Sequence, residues 1–133
     1  MRMSKELHLK GLILIVDDEE DLCDILKDHF ETLGANVLTA NNSKDALKIL
    51  DWNNIDIIIS DVGLHGVGGM DFLKLAQNRG FNEGQLFLMS GRDDLSAENI
   101  KDAGAKALFQ KPFVFEDIEQ QVLHALELKE VPA

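Results

Sequence analysis

The sequence has little from which covalent cross-links or a membrane anchor could be built. It contains a single cysteine, Cys23, so no internal disulfide can form. Cys23 falls among the apolar residues of a helical pattern, which favours a buried structural thiol over a reactive one. No stretch approaches about 18 consecutive apolar residues, and the N-terminus has no apolar segment of the kind found in signal peptides. We therefore expect a cytoplasmic protein without a secretory signal or a membrane span.

Basic residues are also scarce, with 13 Lys and Arg against 24 Asp and Glu and a net charge of -11. Nucleic acids and anionic membrane surfaces are bound through Lys and Arg, so neither is an expected partner. The acidic excess suits a cation site or basic partners, although a well-solvated surface alone would also explain it. The length of 133 residues and the 45% hydrophobic content predict one globular domain with a single core.

Short apolar runs alternate with helical patterns along the chain. The predicted strands cover 12–16, 36–40, 55–60, 85–89 and 107–110, and the predicted helices cover about 22–33, 43–50, 70–79, 96–103 and 115–128. Ser43 is the expected cap of the second helix, and Gly34 the residue that ends the first. This alternation predicts an α/β fold, a doubly wound parallel sheet covered by helices on both sides. We assign residues 11–129 to this domain, with tails at 1–10 and 130–133.

The polar residues that follow four of the strands are the main functional signal. They are Asp17 and Asp18 after the first strand, Asp61 after the third, Ser90 after the fourth and Lys111 after the fifth. Sites in such sheets form beyond the carboxyl ends of the strands, so we expect these side chains to meet at one edge.

The chemistry of such a cluster indicates phosphoryl transfer. At an effective dielectric near 20, each close carboxylate pair costs about 4 kcal/mol, which a hard divalent cation with oxygen ligands such as Mg²⁺ would relieve. Asp61 would then act as a nucleophile toward phosphorus, with Lys111 and Ser90 contacting the phosphoryl oxygens. Each element is weak alone, since acidic residues such as those at 19–21 commonly compensate a helix dipole.

Together these motifs resemble the receiver domains of two-component response regulators, of the chemotaxis-regulator type. The matching segments are 14–19, 57–61, 88–91, 104–105 and 111–113, and the resemblance covers about residues 12–128. It implies the flavodoxin-like (βα)5 fold with strand order 2-1-3-4-5. It also implies that Asp61 is the phosphoacceptor and receives its phosphoryl group from a phospho-histidine on a histidine kinase or histidine phosphotransfer protein.

The resemblance also implies the ligands of a cation, Mg²⁺ or alternatively Mn²⁺. Asp18 and Asp61 would bind it directly, Asp17 mostly through water, and Gly63 through its backbone carbonyl. Gly69 matches a glycine that such loops carry.

The expected output is a change at the face formed by the fourth helix, fifth strand and fifth helix, with Ser90 and the residue at position 108 as the switch pair. A downstream effector, or a second copy of the chain as a homodimer, would bind that face. A receiver of this kind catalyses only its own phosphorylation and dephosphorylation. The chain would be either free-standing or a fragment of a larger regulator or hybrid kinase.

Three positions depart from the family pattern. His65 stands where receivers usually carry Pro, and we interpret it as a loop residue rather than a metal ligand or phosphoryl carrier. Leu108 stands where many receivers place Tyr or Phe, and the adjacent Phe109 points to the opposite face and belongs to the core. Gly91 stands where Ala is common in receivers. Gly63 and Arg92 occupy positions whose side chains influence, in receivers, how easily water reaches the acyl phosphate.

Four other interpretations fit less well. A phosphatase of the haloacid dehalogenase class would also use an Asp nucleophile and Mg²⁺, but its Asp-x-Asp motif is replaced by a continuous acidic run. A flavin-binding module would need a phosphate-binding loop where five acids stand. An EF-hand loop starting at Asp17 would place Leu22 where Gly is required. A receiver kept only as a docking module, without phosphorylation, is disfavoured because all five family positions are filled.

Overall fold

The computed structural model describes residues 11–63, 69–91 and 104–130. The strands are β1 (Leu12–Val16), β2 (Asn36–Ala40), β3 (Ile57–Asp61), β4 (Leu86–Ser90) and β5 (Ala107–Gln110). The helices within these ranges are α1 (Glu20–Thr32), α2 (Ser43–Trp52), α3 (Gly69–Asn78) and α4 (Phe115–Glu130), with a 3₁₀ turn at Glu83–Gln85. The predicted helix over 96–103 lies outside the described residues.

The strands form one parallel sheet in the order β2-β1-β3-β4-β5. In the centre of the sheet, Leu14 of β1 pairs with Leu38 on one side and Ile58 on the other. This order confirms the predicted doubly wound, flavodoxin-like fold. It also places β1 and β3, the two strands that lead into the predicted acidic site, next to each other.

The central strands are continuously apolar, so the side chains that point to either face of the sheet are apolar. Both faces of the sheet are therefore buried. One core contains residues from β1, β3 and β4 together with α1 and α4, and includes Ile13, Ile59, Phe87, Leu26, Phe30 and Val122. The opposite core is formed against α2 and α3, and includes Leu14, Ile58, Leu88, Leu50, Phe72 and Ala76. No described helix is both long enough and apolar enough to cross a membrane.

Element boundaries differ from the predicted ones at several points. β3 and β4 end one residue later than predicted, because Asp61 pairs with Met89, and Ser90 pairs with Gln110 of β5. The prediction that Ser43 caps α2 is wrong. Asn42 is the N-cap, and its side chain accepts a hydrogen bond from the Asp45 N–H at 2.8 Å, whereas Ser43 is buried in the first turn.

The end of α1 agrees with the prediction. Gly34 has φ 103°, a conformation that side-chain-bearing residues rarely adopt, and its N–H donates to the carbonyl of Glu31 at 3.0 Å. The Ala35 N–H donates to the Phe30 carbonyl at 3.2 Å, which closes the helix and directs the chain into β2.

Two aromatic residues provide a test of this core assignment. Phe72 of α3 is fully buried, whereas Trp52 at the end of α2 is 84% exposed. We expect Phe72→Ala to lower the free energy of unfolding by about 3–5 kcal/mol, because it leaves a cavity in the core. Trp52→Ala should change it by less than about 0.5 kcal/mol. Denaturant unfolding followed by circular dichroism measures both, and equal effects would contradict the assignment.

Candidate active site

Asp17 follows β1 and is fully buried. Its N–H donates to the Ala40 carbonyl at 3.1 Å, which continues the pairing of β1 with β2. Its carbonyl accepts hydrogen bonds from Asn41 Nδ2 at 3.0 Å and from Cys23 Sγ at 3.4 Å, and its Oδ1 accepts from the Glu19 N–H at 2.9 Å. The backbone and the carboxylate of Asp17 are therefore both held in place.

Cys23 is a structural thiol, as predicted. It is 1% exposed, and burial raises its pKa to about 11, so the thiol stays protonated at neutral pH. Its role is to donate to the Asp17 carbonyl from within α1.

Asp61 is the last residue of β3, and its side chain is 11% exposed. The following Val62 N–H donates to the Met89 carbonyl at 3.0 Å, so the backbone on the far side of Asp61 is also paired with β4. Oδ2 of Asp61 accepts from the Gly63 N–H at 3.2 Å. The other oxygen, Oδ1, faces Lys111.

Lys111 follows β5, and its ammonium group lies among three carboxylates. Nζ is 2.7 Å from Asp17 Oδ2, 3.0 Å from Glu19 Oε1 and 3.4 Å from Asp61 Oδ1. The Lys111 N–H donates to the Ser90 carbonyl at 2.7 Å, and the Lys111–Pro112 peptide bond is cis. Burial opposes the charge of Lys111, but the hydrogen bonds to Asp17 and Glu19 and the negative charges of Asp17 and Asp61 together outweigh it and raise the pKa of this lysine.

Asp17, Asp18 and Asp61 form a candidate metal centre. Each offers a carboxylate oxygen, and these oxygens lie within 4.8 Å of one another. Burial raises the pKa of Asp17 above its ordinary value of 3.8, and the charge of Asp61 acts in the same direction, whereas Lys111 lowers it. A divalent cation would compensate the charge of this cluster, and the oxygen-only donor set suits a hard cation.

The remaining predicted site residues lie on the same edge of the sheet or near it. Ser90 ends β4 and is 1% exposed, and Gly63 lies exposed two residues beyond Asp61. Leu108 in β5 is partly buried and packs on the core formed with α2 and α3. Phe109 points to the opposite face, where its ring stacks on Phe87 with centroids 6.2 Å apart, which confirms its prediction as a core residue.

Two other residues singled out in the sequence, His65 and Arg92, lie outside the described residues. Gly69 is the first residue of α3.

Sequence reasoning missed the contacts of two residues. Glu19 stands in a run of acids that commonly compensate a helix dipole, yet its carboxylate contacts Lys111, which is 92 positions away. Asn41 was given no role, yet its side chain donates to the Asp17 carbonyl. The position of Asn41 directly after β2 was a usable signal, because that strand ends at the same edge as β1. The sequence carries no comparable signal for the Glu19–Lys111 contact.

Comparison with known proteins agrees with this geometry. A family model described as the response regulator receiver domain matches residues 13–123. The chain belongs to this family. Among curated proteins, the response regulator SaeR of Staphylococcus aureus (strain USA300) is 32% identical over 101 residues, which are 76% of this chain and 44% of SaeR. The receiver chain therefore spans less than half the length of that relative.

Solved receiver structures share the fold. A response regulator receiver domain protein from Clostridium thermocellum is 28% identical with a TM-score of 0.80, over 90% of this chain and 97% of that one. The Thermotoga maritima response regulator TrrA, solved in complex with Mg(2+)-BeF, has a TM-score of 0.76 over 86% of this chain and 98% of that one. At 23% identity, the second likeness shows the fold alone.

The charge coupling within the receiver site can be tested by titration. Because the pKa of Asp17 is raised in the folded chain, its contribution to stability is complete below about pH 3.8 and is lost as the pH rises through the folded-state pKa. The charge of Asp61 is one of the causes that raise the pKa of Asp17. We therefore expect Asp61→Asn to lower the pKa of Asp17 and to reduce the stability that is lost when Asp17 ionises. Carbon-13 carboxyl NMR in the presence of a chelator measures the pKa of Asp17.

Asp51→Asn is the matched control for this titration. Asp51 is exposed on α2 and pairs with Arg79, at 2.7 Å between Oδ1 and Nε, and not with the site. Its removal should leave the pKa of Asp17 unchanged. An unchanged Asp17 pKa in Asp61→Asn would show that the two carboxylates are not coupled.

Proposed function

We propose that this chain is a phosphorylation switch of a two-component phosphorelay and that Asp61 accepts the phosphoryl group. The proposal is based on the groups that surround the Asp61 carboxylate. One oxygen lies 3.4 Å from the Lys111 ammonium, and an oxygen of Asp61 lies within 4.8 Å of oxygens of Asp17 and Asp18. A largely buried carboxylate that belongs to a candidate cation-binding cluster and lies next to a lysine ammonium group suits attack on an anionic phosphoryl donor.

The proposed donor is a phospho-histidine on a histidine kinase or a histidine phosphotransfer protein. An oxygen of Asp61 forms a bond to phosphorus while the phosphorus–nitrogen bond of the donor breaks. The leaving imidazole nitrogen retains the electron pair and takes up a proton. Lys111 would pair with the phosphoryl oxygens, and the Ser90 hydroxyl would hydrogen-bond them. Asp61 would thereby carry an acyl phosphate, so the chain would catalyse only its own phosphorylation and dephosphorylation.

The proposed cofactor is Mg²⁺, with Mn²⁺ as an alternative ion. The donor set fits, because three carboxylates converge while Lys111 supplies a single positive charge, and excess negative charge at the buried Asp17 is costly. Asp18 and Asp61 would be direct ligands, with the Gly63 carbonyl as a further one and Asp17 acting through water. When bound, the ion would act as a Lewis acid on the phosphoryl oxygens.

The proposed output is a population shift at the face formed by the fourth predicted helix (96–103), β5 and α4, which is the fifth predicted helix. Ser90 would report phosphorylation and Leu108 would respond, although Leu108 lacks the aromatic ring that many receivers carry there. A downstream effector, or a second copy of this chain as a homodimer, would bind the changed face, and nucleic acid and membrane would not be direct partners. We assign residues 11–129 to the receiver, with tails at 1–10 and 130–133, and place it in the cytoplasm.

The direct test is incubation with acetyl phosphate in the presence and absence of Mg²⁺. Intact mass spectrometry should show a phosphoryl adduct on the wild type only when Mg²⁺ is present. Asp61→Asn should show none, because the amide is not a nucleophile toward phosphorus. Asp51→Asn is the control, an exposed carboxylate away from the site, and should form the adduct at the wild-type rate. An adduct that survives in Asp61→Asn contradicts the assignment, and sustained turnover of a small phosphate ester would indicate a phosphatase instead.

The metal assignment has a separate test. We expect Asp18→Asn to weaken Mg²⁺ binding by at least about tenfold, since even residues that only support metal ligands have effects of that size. Asp21→Asn removes an equal charge from the exposed first turn of α1 and should alter the affinity far less. Isothermal titration calorimetry compares the dissociation constants. Equal losses of Mg²⁺ affinity in both variants would show that Asp18 acts only through its charge and not as a ligand.

A further inference from the structure

The contact between Glu19 and Lys111 is not needed to bind a cation in this site. The carboxylates that converge as a candidate metal centre are Asp17, Asp18 and Asp61, and Glu19 is not among them. Its side chain is 61% exposed, yet Oε1 lies 3.0 Å from Lys111 Nζ. That is closer than the 3.4 Å between Nζ and Oδ1 of Asp61, the proposed phosphoacceptor.

The local structure around Glu19 shows that its side chain does not cap the helix. Glu19 is the N-cap residue of α1, with φ -86° and ψ 98°, but its side chain makes no capping hydrogen bond. This position usually carries Ser, Thr, Asp or Asn, as Asn42 does at the start of α2. The carboxylate of Glu19 reaches Lys111 instead, so a local rule of helix capping is broken at the edge of a functional site.

These contacts divide the carboxylates around Lys111 into two kinds. Asp17 and Asp61 would be shared with the proposed cation, which weakens their attraction for the ammonium group. Glu19 lies outside that ligand set, so its attraction for Lys111 persists when the cation is bound. This contact holds Nζ at the start of α1, where Glu19 would compete for the ammonium group with the oxygens of a phosphoryl group on Asp61.

We propose that Glu19 is a positioning residue that restrains Lys111 and slows phosphorylation of Asp61. The inference rests on the proposed function and adds a control on its rate. In the test reaction, the oxygen–phosphorus bond of acetyl phosphate breaks, acetate leaves with the electron pair, and a bond forms between phosphorus and an Asp61 oxygen. Lys111 assists by pairing with the phosphoryl oxygens, and it must leave Glu19 to do so.

The experiment compares initial rates of adduct formation in the full chain at saturating Mg²⁺, followed by intact mass. Glu19→Gln should increase the rate about two- to fivefold, the size expected for the loss of one exposed ion pair. Glu19→Asp should do the same although it keeps the charge, because the shorter carboxylate caps α1 and no longer reaches Lys111. Glu20→Gln removes the same charge from the next residue, which is exposed, and should retain the wild-type rate.

A double-mutant cycle separates positioning from a structural role. In a Lys111→Met background, Glu19→Gln should no longer accelerate the reaction, because its effect passes through the lysine. Thermal unfolding of each variant shows that it is folded, and calorimetry gives its Mg²⁺ affinity, so the rates are compared at equal saturation.

The outcomes distinguish this inference from the proposed function. If the wild type forms the adduct but Glu19→Gln leaves the rate unchanged or lowers it, the role of Glu19 is refuted and the phosphorylation switch stands. The role of Glu19 is also refuted if Glu20→Gln accelerates adduct formation as much as Glu19→Gln does, or if Glu19→Asp keeps the wild-type rate. In either case the local charge alone would account for the rates. If no variant and no wild type forms an adduct with Mg²⁺ present, both proposals fail together.

Discussion

The buried carboxylate of Asp17 next to that of Asp61 is the constraint on which the rest of the site depends. Removing a charge from water is costly unless a partner compensates it, and two neighbouring anions increase that cost. Lys111 supplies the compensation at 2.7 Å from Asp17. Lys111 follows β5, whereas Asp17 follows β1. Their interaction therefore spans β3 and β4 and links the two halves of the sheet.

The apolar sheet makes this concentration of charge sustainable. β1, β3 and β4 are covered on both faces, and all of their residues except Leu12 at the start of β1 are buried. A close-packed core of this kind resists the small movements by which repelling groups would separate. The hydrogen bonds from Asn41 and Cys23 to the Asp17 carbonyl add a second restraint from β2 and α1. Burial of the sheet thus holds the two carboxylates close together, with Lys111 as their compensating charge.

Most of the fold and the main site residues were predictable from the sequence, for identifiable physical reasons. Continuous apolar runs mark strands buried on both faces, and residues after parallel strands must meet at one edge, which located Asp17, Asp61 and Lys111. Boundaries were less predictable, since whether Asp61 belongs to β3 depends on its pairing with Met89. The Glu19–Lys111 contact was beyond prediction, because it depends on how two long side chains meet across 92 residues of sequence.

The pairing of β3 with β4 on both sides of Asp61 has a consequence for how a signal leaves the site. Asp61 is in register with Met89, and the next residue, Val62, also donates to the Met89 carbonyl. The backbone that carries the proposed nucleophile cannot shift without breaking these bonds, so it serves as a fixed reference point. If Asp61 is phosphorylated as proposed, we therefore expect the displacement to be carried by side chains and by the segments beyond the strand ends, while the pairing of β3 with β4 is kept.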